Sequence, residues 1–174
     1  MKKNTIKIKN CTFQDSKFIQ NLYNDNVKKK KFNNNKIVSL KSHQKWMRDI
    51  LKSKKSKIYI GCLSEKFGYV RIENLFENMF SVSIAVTERY MGKGYSSAFL
   101  NLSMEKFFRK KKNFILFSFV KKNNLRSKNF FQSNNFLEIK KNNKNKLKQF
   151  TRNDNNIFIY FKQFSCKKYH NKND

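Results

Sequence analysis

Residues 79–87 carry the cleanest alternation in the chain: Phe80, Val82, Ile84 and Val86 fall on one side of an extended strand, and Ser81, Ser83, Ala85 and Thr87 on the other. Upstream, Thr5 to Cys11 alternates weakly through Ile6 and Ile8 and predicts a first strand. The spacing of Phe18, Ile19, Leu22 and Tyr23 predicts a helix from about Gln14 to Tyr23. The polar, basic stretch from Asn24 to Lys36 predicts a loop. Ser39 is a good N-cap for a second helix that places Leu40, His43, Trp46, Met47, Ile50 and Leu51 on one face. Lys57–Leu63 and Phe67–Glu73 predict two strands joined through Ser64-Glu65-Lys66 as a hairpin.

Beyond the alternating strand, a helix from about Tyr95 to Lys110 is expected to bury Phe99, Leu100, Leu102, Met104 and Phe107. Asn113 to Val120 is an apolar run from Phe114 onward, interrupted only by Ser118, as in a strand covered on both faces. Strand, helix, buried strand predicts a parallel, right-handed crossover. A further helix is expected over Asn124–Ser133, with Asn134-Asn135 supplying a left-handed cap. Phe136–Lys140 and Asn156–Phe164 predict a closing pair of strands, the Lys/Asn-rich segment between them a loop, and the residues after Cys166 a frayed tail. The pattern predicts an α/β fold with a mixed sheet. Residues 1–165 are expected to form a single domain and 166–174 a polar tail.

Composition changes this picture in two ways. A hydrophobic share of 39% with 19 Phe argues against disorder. Lys, Asn, Ile and Phe all have A/T-rich codons, so drift accounts for much of their abundance. It does not account for only 11 acidic residues against 40 basic ones. The resulting net charge of +29 favours polyanions, but the cations are spread along the sequence, so nucleic acid is expected to bind only non-specifically. Three isolated cysteines, Cys11, Cys62 and Cys166, suit neither a disulfide framework nor a zinc site. No apolar run behind Met1–Asn10 suggests a signal peptide, and none approaches the ~20 residues a bilayer span needs. A cytoplasmic protein with no membrane partner and no metal is expected.

The glycines supply the chemistry. The chain has four, and no proline; two of the four lie in Arg89-Tyr90-Met91-Gly92-Lys93-Gly94, between the alternating strand and the next helix. Glycine permits positive φ and lets a ligand approach the main chain. A glycine turn that opens a helix directs unpaired N–H groups and the positive end of the helix dipole at one point, which suits a phosphate.

The order strand, Arg-x-x-Gly-x-Gly, helix, buried strand is followed by a second motif. Asn124, Arg126, Ser127, Phe130, Phe131, Asn135 and Phe136 have the spacing Asn-x-Arg-Ser-x-x-Phe-Phe-x-x-x-Asn-Phe. Together these resemble the GNAT family of N-acetyltransferases from Thr5 to about Lys162. The resemblance implies a GNAT fold: a central, mostly antiparallel sheet with a splayed parallel strand pair and flanking helices. It also implies acetyl-CoA as co-substrate. By position, the amides of Tyr90, Met91, Gly92, Lys93, Gly94 and Tyr95 would hold the pyrophosphate, with a hydroxyl from Ser96 and with Arg89 among the cofactor-binding residues. Ile84, Ala85 and Val86 would pair with the pantetheine arm. Asn124 would lie near the thiol, with Ser127 and Lys128 along the same cofactor edge. A narrower likeness runs through Asn24-Asp25-Asn26-Val27, Phe32, Ile37 and His43-x-x-Trp46. It is similar to acetyltransferases of nucleotide-linked amino sugars in pseudaminic and related nonulosonic acid biosynthesis.

Acetyl transfer to an amine needs a base, a polarised thioester carbonyl and a protonated leaving thiolate. The backbone N–H near Ile84 or Ala85 is the candidate for the carbonyl. Glu73, at a strand end beside the expected acceptor groove, is the first candidate base, and His43 the second because it titrates in the useful range. Glu73 also reads as a solvated strand end and His43 as a core histidine on an apolar stripe. Glu88 is expected only to shape the turn, Trp46 to pack, and His170 to play no part. Phe131 stands where many family members carry a tyrosine acid, leaving water, unaided thiolate departure or Tyr95. Three readings follow: an N-acetyltransferase for a small amine, foremost a UDP-linked amino sugar; a protein or peptide N-acetyltransferase of the ribosomal-protein type; or an inactive, basic nucleic-acid-binding relative. Monomer and homodimer stay open.

Overall fold

The computed structural model describes residues 5–29, 36–109, 113–139 and 157–164. The strands are β1 (Lys7–Asn10), β2 (Ser56–Cys62), β3 (Lys66–Phe76), β4 (Met79–Val86), β5 (Phe114–Lys121), β6 (Leu137–Glu138) and β7 (Ile157–Phe164). The helices are α1 (Ser16–Lys28), α2 (Leu40–Lys52), α3 (Tyr95–Phe108) and α4 (Leu125–Ser133). The seven strands hydrogen-bond in the order β1-β2-β3-β4-β5-β7-β6, giving a mixed α/β sheet of the kind the resemblance implies. β4 and β5 run parallel, while β1–β2, β2–β3, β5–β7 and β6–β7 are antiparallel.

The chain forms two compact units, Met1–Glu73 with Ser83–Arg109, and Asn74–Val82 with Lys110–Asp174. In the first, Ile19 and Leu22 of α1 and Met47 and Ile50 of α2 pack with Ile58, Ile60, Tyr69 and Ala85 from the strands. Ser39 caps α2 as its sequence predicts, its hydroxyl accepting from the Ser42 amide at 3.2 Å. β1 is tied down by Asp15, which is wholly buried. It accepts from Lys9 Nζ at 2.9 Å and pairs with Lys66 at 2.6 Å. The Thr12 amide and hydroxyl donate to it at 3.0 and 3.2 Å. In the second unit, Phe117, Ile139 and Ile159 are buried under Leu75, Met79, Ile115, Phe119 and Phe161.

Several expectations need correction. α1 does not stop at Tyr23 but continues through Asn24–Val27 to Lys28, because Asn24, Asn26 and Val27 are buried against the fold. Asn24 Nδ2 donates to the Val38 carbonyl at 2.9 Å and its Oδ1 accepts from the Val38 amide at 3.0 Å, so the polar side chain is a strut. The rest of that expected loop, residues 30–35, lies outside the described residues, as do the Lys/Asn-rich loop and the C-terminal tail. Leu102, expected to be buried, is exposed, as are Leu40 and Leu51 of the apolar face expected for α2. In α3 Phe99 is buried as expected, but Phe108 is buried in place of Phe107, which is half-buried, and Ser103 occupies a wholly buried position. The left-handed residue after α4 is Asn135, with φ 62°; Asn134 stays at φ −96°. Among the described residues no helix is long and apolar enough to cross a membrane.

Candidate functional site

The turn after β4 starts with one turn of 3₁₀ helix, Glu88–Tyr90, and ends at Gly94, the N-cap of α3. Gly92 has φ 75° and Gly94 φ 80°, a region that costs other L-residues about 1–2 kcal/mol. A Cβ built on either would meet nothing within 4 Å. Both glycines are therefore needed for backbone conformation, and the space over them is open. Gly94 has no side chain to cap α3, so the first-turn amides of the helix face outward over exposed Gly92, Lys93 and Gly94. Ser96 is half-buried in that first turn.

Tyr90 anchors the turn. It is buried, tilts against Phe67 at 5.4 Å and meets Tyr95 edge-on at 5.9 Å. Its hydroxyl donates to Glu65 Oε1 at 3.1 Å. The same carboxylate pairs with Arg89 Nη1 at 2.9 Å, and the guanidinium lies 4.8 Å from the Tyr90 ring. Arg89 thus braces the turn through Glu65, a residue the sequence marks only as part of a hairpin. Glu88 pairs with Lys29 of the α1 C-terminus, consistent with a turn-shaping role. Met91 is half-buried, its amide bonded to the Glu88 carbonyl at 3.0 Å.

β4 leads into this turn with a definite orientation of its amides. Thr87 N–H donates to the Phe67 carbonyl at 2.7 Å, and the Ala85 carbonyl lies 2.6 Å from a Cβ built on Gly68. Odd-numbered main-chain groups of β4 therefore face β3, and those of Ile84 and Val86 face away from it. Of the two candidates for a thioester partner, the main-chain groups of Ile84 face away from β3 and those of Ala85 face towards it. In the second unit, the parallel pairing of β4 with β5 covers only Met79–Ser81 against Ile115–Phe117.

The two candidate bases both belong to the first unit. His43 is buried in α2, its Nδ1 has no hydrogen-bond partner among the described residues, and its ring lies 5.1 Å from that of Trp46. Burial pushes its pKa below the usual histidine value. Glu73 is half-exposed, 3.7 Å from Arg71 Nη2, and Arg71 in turn lies 5.9 Å from the half-buried Trp46 ring. Arg71 was not apparent as a site residue because the sequence shows only one more strand cation.

In the second unit Asn124 caps α4, accepting from the Ser127 amide at 3.1 Å. Ser127 and Lys128 are half-buried in the first turn of that helix, with Lys128 Nζ 5.3 Å from the Phe158 ring. Phe131 is buried between Phe136, edge-on at 5.1 Å, and Tyr160, stacked at 6.4 Å. It is a core residue with no proton to give. Of the narrower amino-sugar likeness, Asn24 and Asn26 are engaged by Val38 and the Leu22 carbonyl, and Phe32 lies outside the described residues. Among the described residues no group of three or more His, Cys, Asp or Glu could hold a metal ion.

Residues 21–136 match the model of the acetyltransferase (GNAT) family. No curated protein matches the chain. Among solved structures, the chain is similar to a domain from Methanocaldococcus jannaschii at 19% identity and TM-score 0.74, covering 93% of this chain and 100% of that one. The spermidine N-acetyltransferase of Vibrio cholerae, in complex with CoA and spermine, gives 13% identity and TM-score 0.69 over 79% of this chain and 84% of that one. The ribosomal-protein-alanine N-acetyltransferase of Brucella melitensis gives 20% identity and TM-score 0.67 over 90% and 98%. At these identities the likeness is one of fold.

Proposed function

The chain belongs to the GNAT acetyltransferase family, and from that premise we propose that it transfers the acetyl group of acetyl-CoA directly to a primary amine, foremost that of a UDP-linked amino sugar. The observation that carries the reading is the turn at Gly92 and Gly94, with both φ values positive and open space above. In this reading the amides from Gly92 to Tyr95 and the Ser96 hydroxyl hold the pyrophosphate, assisted by Lys93, while the Tyr90 and Met91 amides, expected to join them, donate to the Thr87 and Glu88 carbonyls and shape the turn. Ile84 and Val86 pair with the pantetheine amides, and the Ile84 N–H polarises the thioester carbonyl. Asn124, Ser127 and Lys128 contribute from α4; Asn124 does so while its Oδ1 caps its own helix.

Glu73 is the proposed base, directly or through water, and His43 the second candidate. A buried neutral imidazole could accept a proton, whereas the Glu73 carboxylate is the more accessible of the two. Protonation of the leaving thiolate falls to water or Tyr95. The net charge of +29 supports an anionic acceptor such as a nucleotide-linked sugar over a polyamine.

The second reading is a protein N-acetyltransferase, since one structural neighbour acts on ribosomal-protein alanine. Thiol release from acetyl-CoA decides, with a UDP-amino sugar, spermidine and an alanine-terminated peptide offered in turn. The proposal expects the highest kcat/KM with the sugar nucleotide. Preference for the peptide would replace it with the second reading, and no amine-dependent release would remove both.

A further inference from the structure

The fold gathers on one helix what the sequence spreads along the chain. Lys41, Lys45, Arg48 and Lys52 occur at steps of four, three and four residues in α2, and all are exposed. They form a single stripe about 16 Å long on the face opposite buried His43, Met47 and Ile50. Among the described residues none of the four belongs to an ion pair, although Asp49 is exposed on the same helix.

Compositional drift does not make such a face everywhere in this chain. The exposed positions of α1 include Asp25, those of α3 place Glu105 beside Lys106, and those of α4 carry one cation, Arg126. A second feature adjoins the stripe. Phe13, just before α1, is 38% exposed, and the Arg48 guanidinium lies 4.9 Å above its ring. An exposed aromatic beside a row of cations is how proteins hold single strands, with bases stacking on the ring and phosphates tracking the charge.

We propose that the outer face of α2, with Phe13 at its edge, is a docking surface for single-stranded nucleic acid. An acidic protein would satisfy the lysines but would have no use for an exposed ring under a guanidinium. A duplex would contact the cations but would offer Phe13 no unstacked base. The inference stands apart from the acetyl-transfer reading and does not need it.

The test is fluorescence anisotropy of a labelled twelve-residue oligouridine with the full chain over a range of salt. Replacing Lys41, Lys45, Arg48 and Lys52 together by Gln should lower the slope of log affinity against log salt by about 3, at ~0.7 per lost phosphate contact. A control with Lys7, Lys17, Lys122 and Arg126 replaced by Gln has the same net charge and should leave the slope nearly unchanged. Phe13→Ala should weaken binding about tenfold at fixed salt with little change in slope. Should the fourfold variant fail to fold, the pair Lys41→Gln and Lys45→Gln should give half the slope change. Equal losses in stripe and control variants would overturn the proposal. So would displacement of the oligouridine by polyglutamate as readily as by unlabelled oligouridine, which would assign the face to an acidic protein.

Discussion

The Tyr90 hydroxyl donates to Glu65 Oε1 at 3.1 Å across 25 residues of sequence. That bond, with the Arg89–Glu65 pair, locks the bend proposed to hold the cofactor to the hairpin between β2 and β3. Tyr90→Phe keeps the ring against Phe67 and Tyr95 and removes only the bond. It should cost about 1 kcal/mol in denaturant unfolding and raise KM for acetyl-CoA more than it lowers kcat. Tyr90→Ala empties a buried ring site and should cost about 3–5 kcal/mol. A loss in Tyr90→Phe as large as in Tyr90→Ala would show that the hydroxyl, and not the packing, holds the bend.

The four glycines separate into two kinds that substitution should tell apart. At Gly92 and Gly94 a Cβ finds open space, so Gly→Ala meets only the positive-φ penalty, about 1–2 kcal/mol, and the fold survives. The added methyl nevertheless stands where the ligand's phosphates are proposed to lie. CoA affinity by calorimetry should fall by tenfold or more, with Asn milder than Ala at either position. At Gly68 a Cβ would lie 2.6 Å from the Ala85 carbonyl, a backbone atom with nowhere to go. Gly68→Ala should therefore destabilise by about 1–3 kcal/mol, more than either turn variant. Unchanged CoA affinity in Gly92→Ala and Gly94→Ala would detach the turn from the cofactor.

The contrast between these glycines also measures what the sequence discloses. Two glycines within three residues, between an alternating strand and a helix, announce the turn because backbone conformation is a local property. The β4 alternation and the Ser39 cap are legible for the same reason. The end of α1 is not, because Asn24 and Asn26 look like loop residues until Val38 returns to take their hydrogen bonds. Nor is Glu65, whose partners Arg89 and Tyr90 reach it only through the fold. Leu102 and Phe107 look like core residues by period alone; the helix instead turns Ser103 and Phe108 inward. On the catalytic side, the sequence names Glu73 and His43 but not the Arg71–Trp46 contact that lies between them in space.

Asp15 should make stability pH-dependent in acid. Burial pushes its carboxyl up, but hydrogen bonds from Lys66 and Lys9 and from the Thr12 amide, with the Lys66 charge, outweigh this and hold it at about 2. A folded pKa below the unfolded value of about 4 means the stabilisation is fully present above pH 4 and is lost as the pH falls towards 2. Asp15→Asn should cost about 2 kcal/mol at neutral pH, and the gap from wild type should close between pH 4 and pH 2. A gap that persists undiminished at pH 2 would assign the cost to packing.

His43 can be assigned by setting stability against rate. Its Nδ1 is buried without a partner, which costs about 1–3 kcal/mol of folding free energy. Because burial lowers its pKa in the fold, stability from this residue is complete above about pH 6.5, the unfolded value, and declines below it as the unfolded chain takes up the proton. His43→Leu should therefore fold at least as stably as wild type at pH 7 and gain further at pH 5. If the imidazole only fills the α2 face, kcat/KM for the amine is retained within a few-fold and its acid limb does not move. Glu73→Gln, whose side chain is half-exposed, should leave stability within about 0.5 kcal/mol and lower kcat by about 10²-fold. The opposite pattern, with kcat collapsing in His43→Leu while Glu73→Gln stays active, would make the buried imidazole the base and explain why the fold tolerates an unpaired polar atom there.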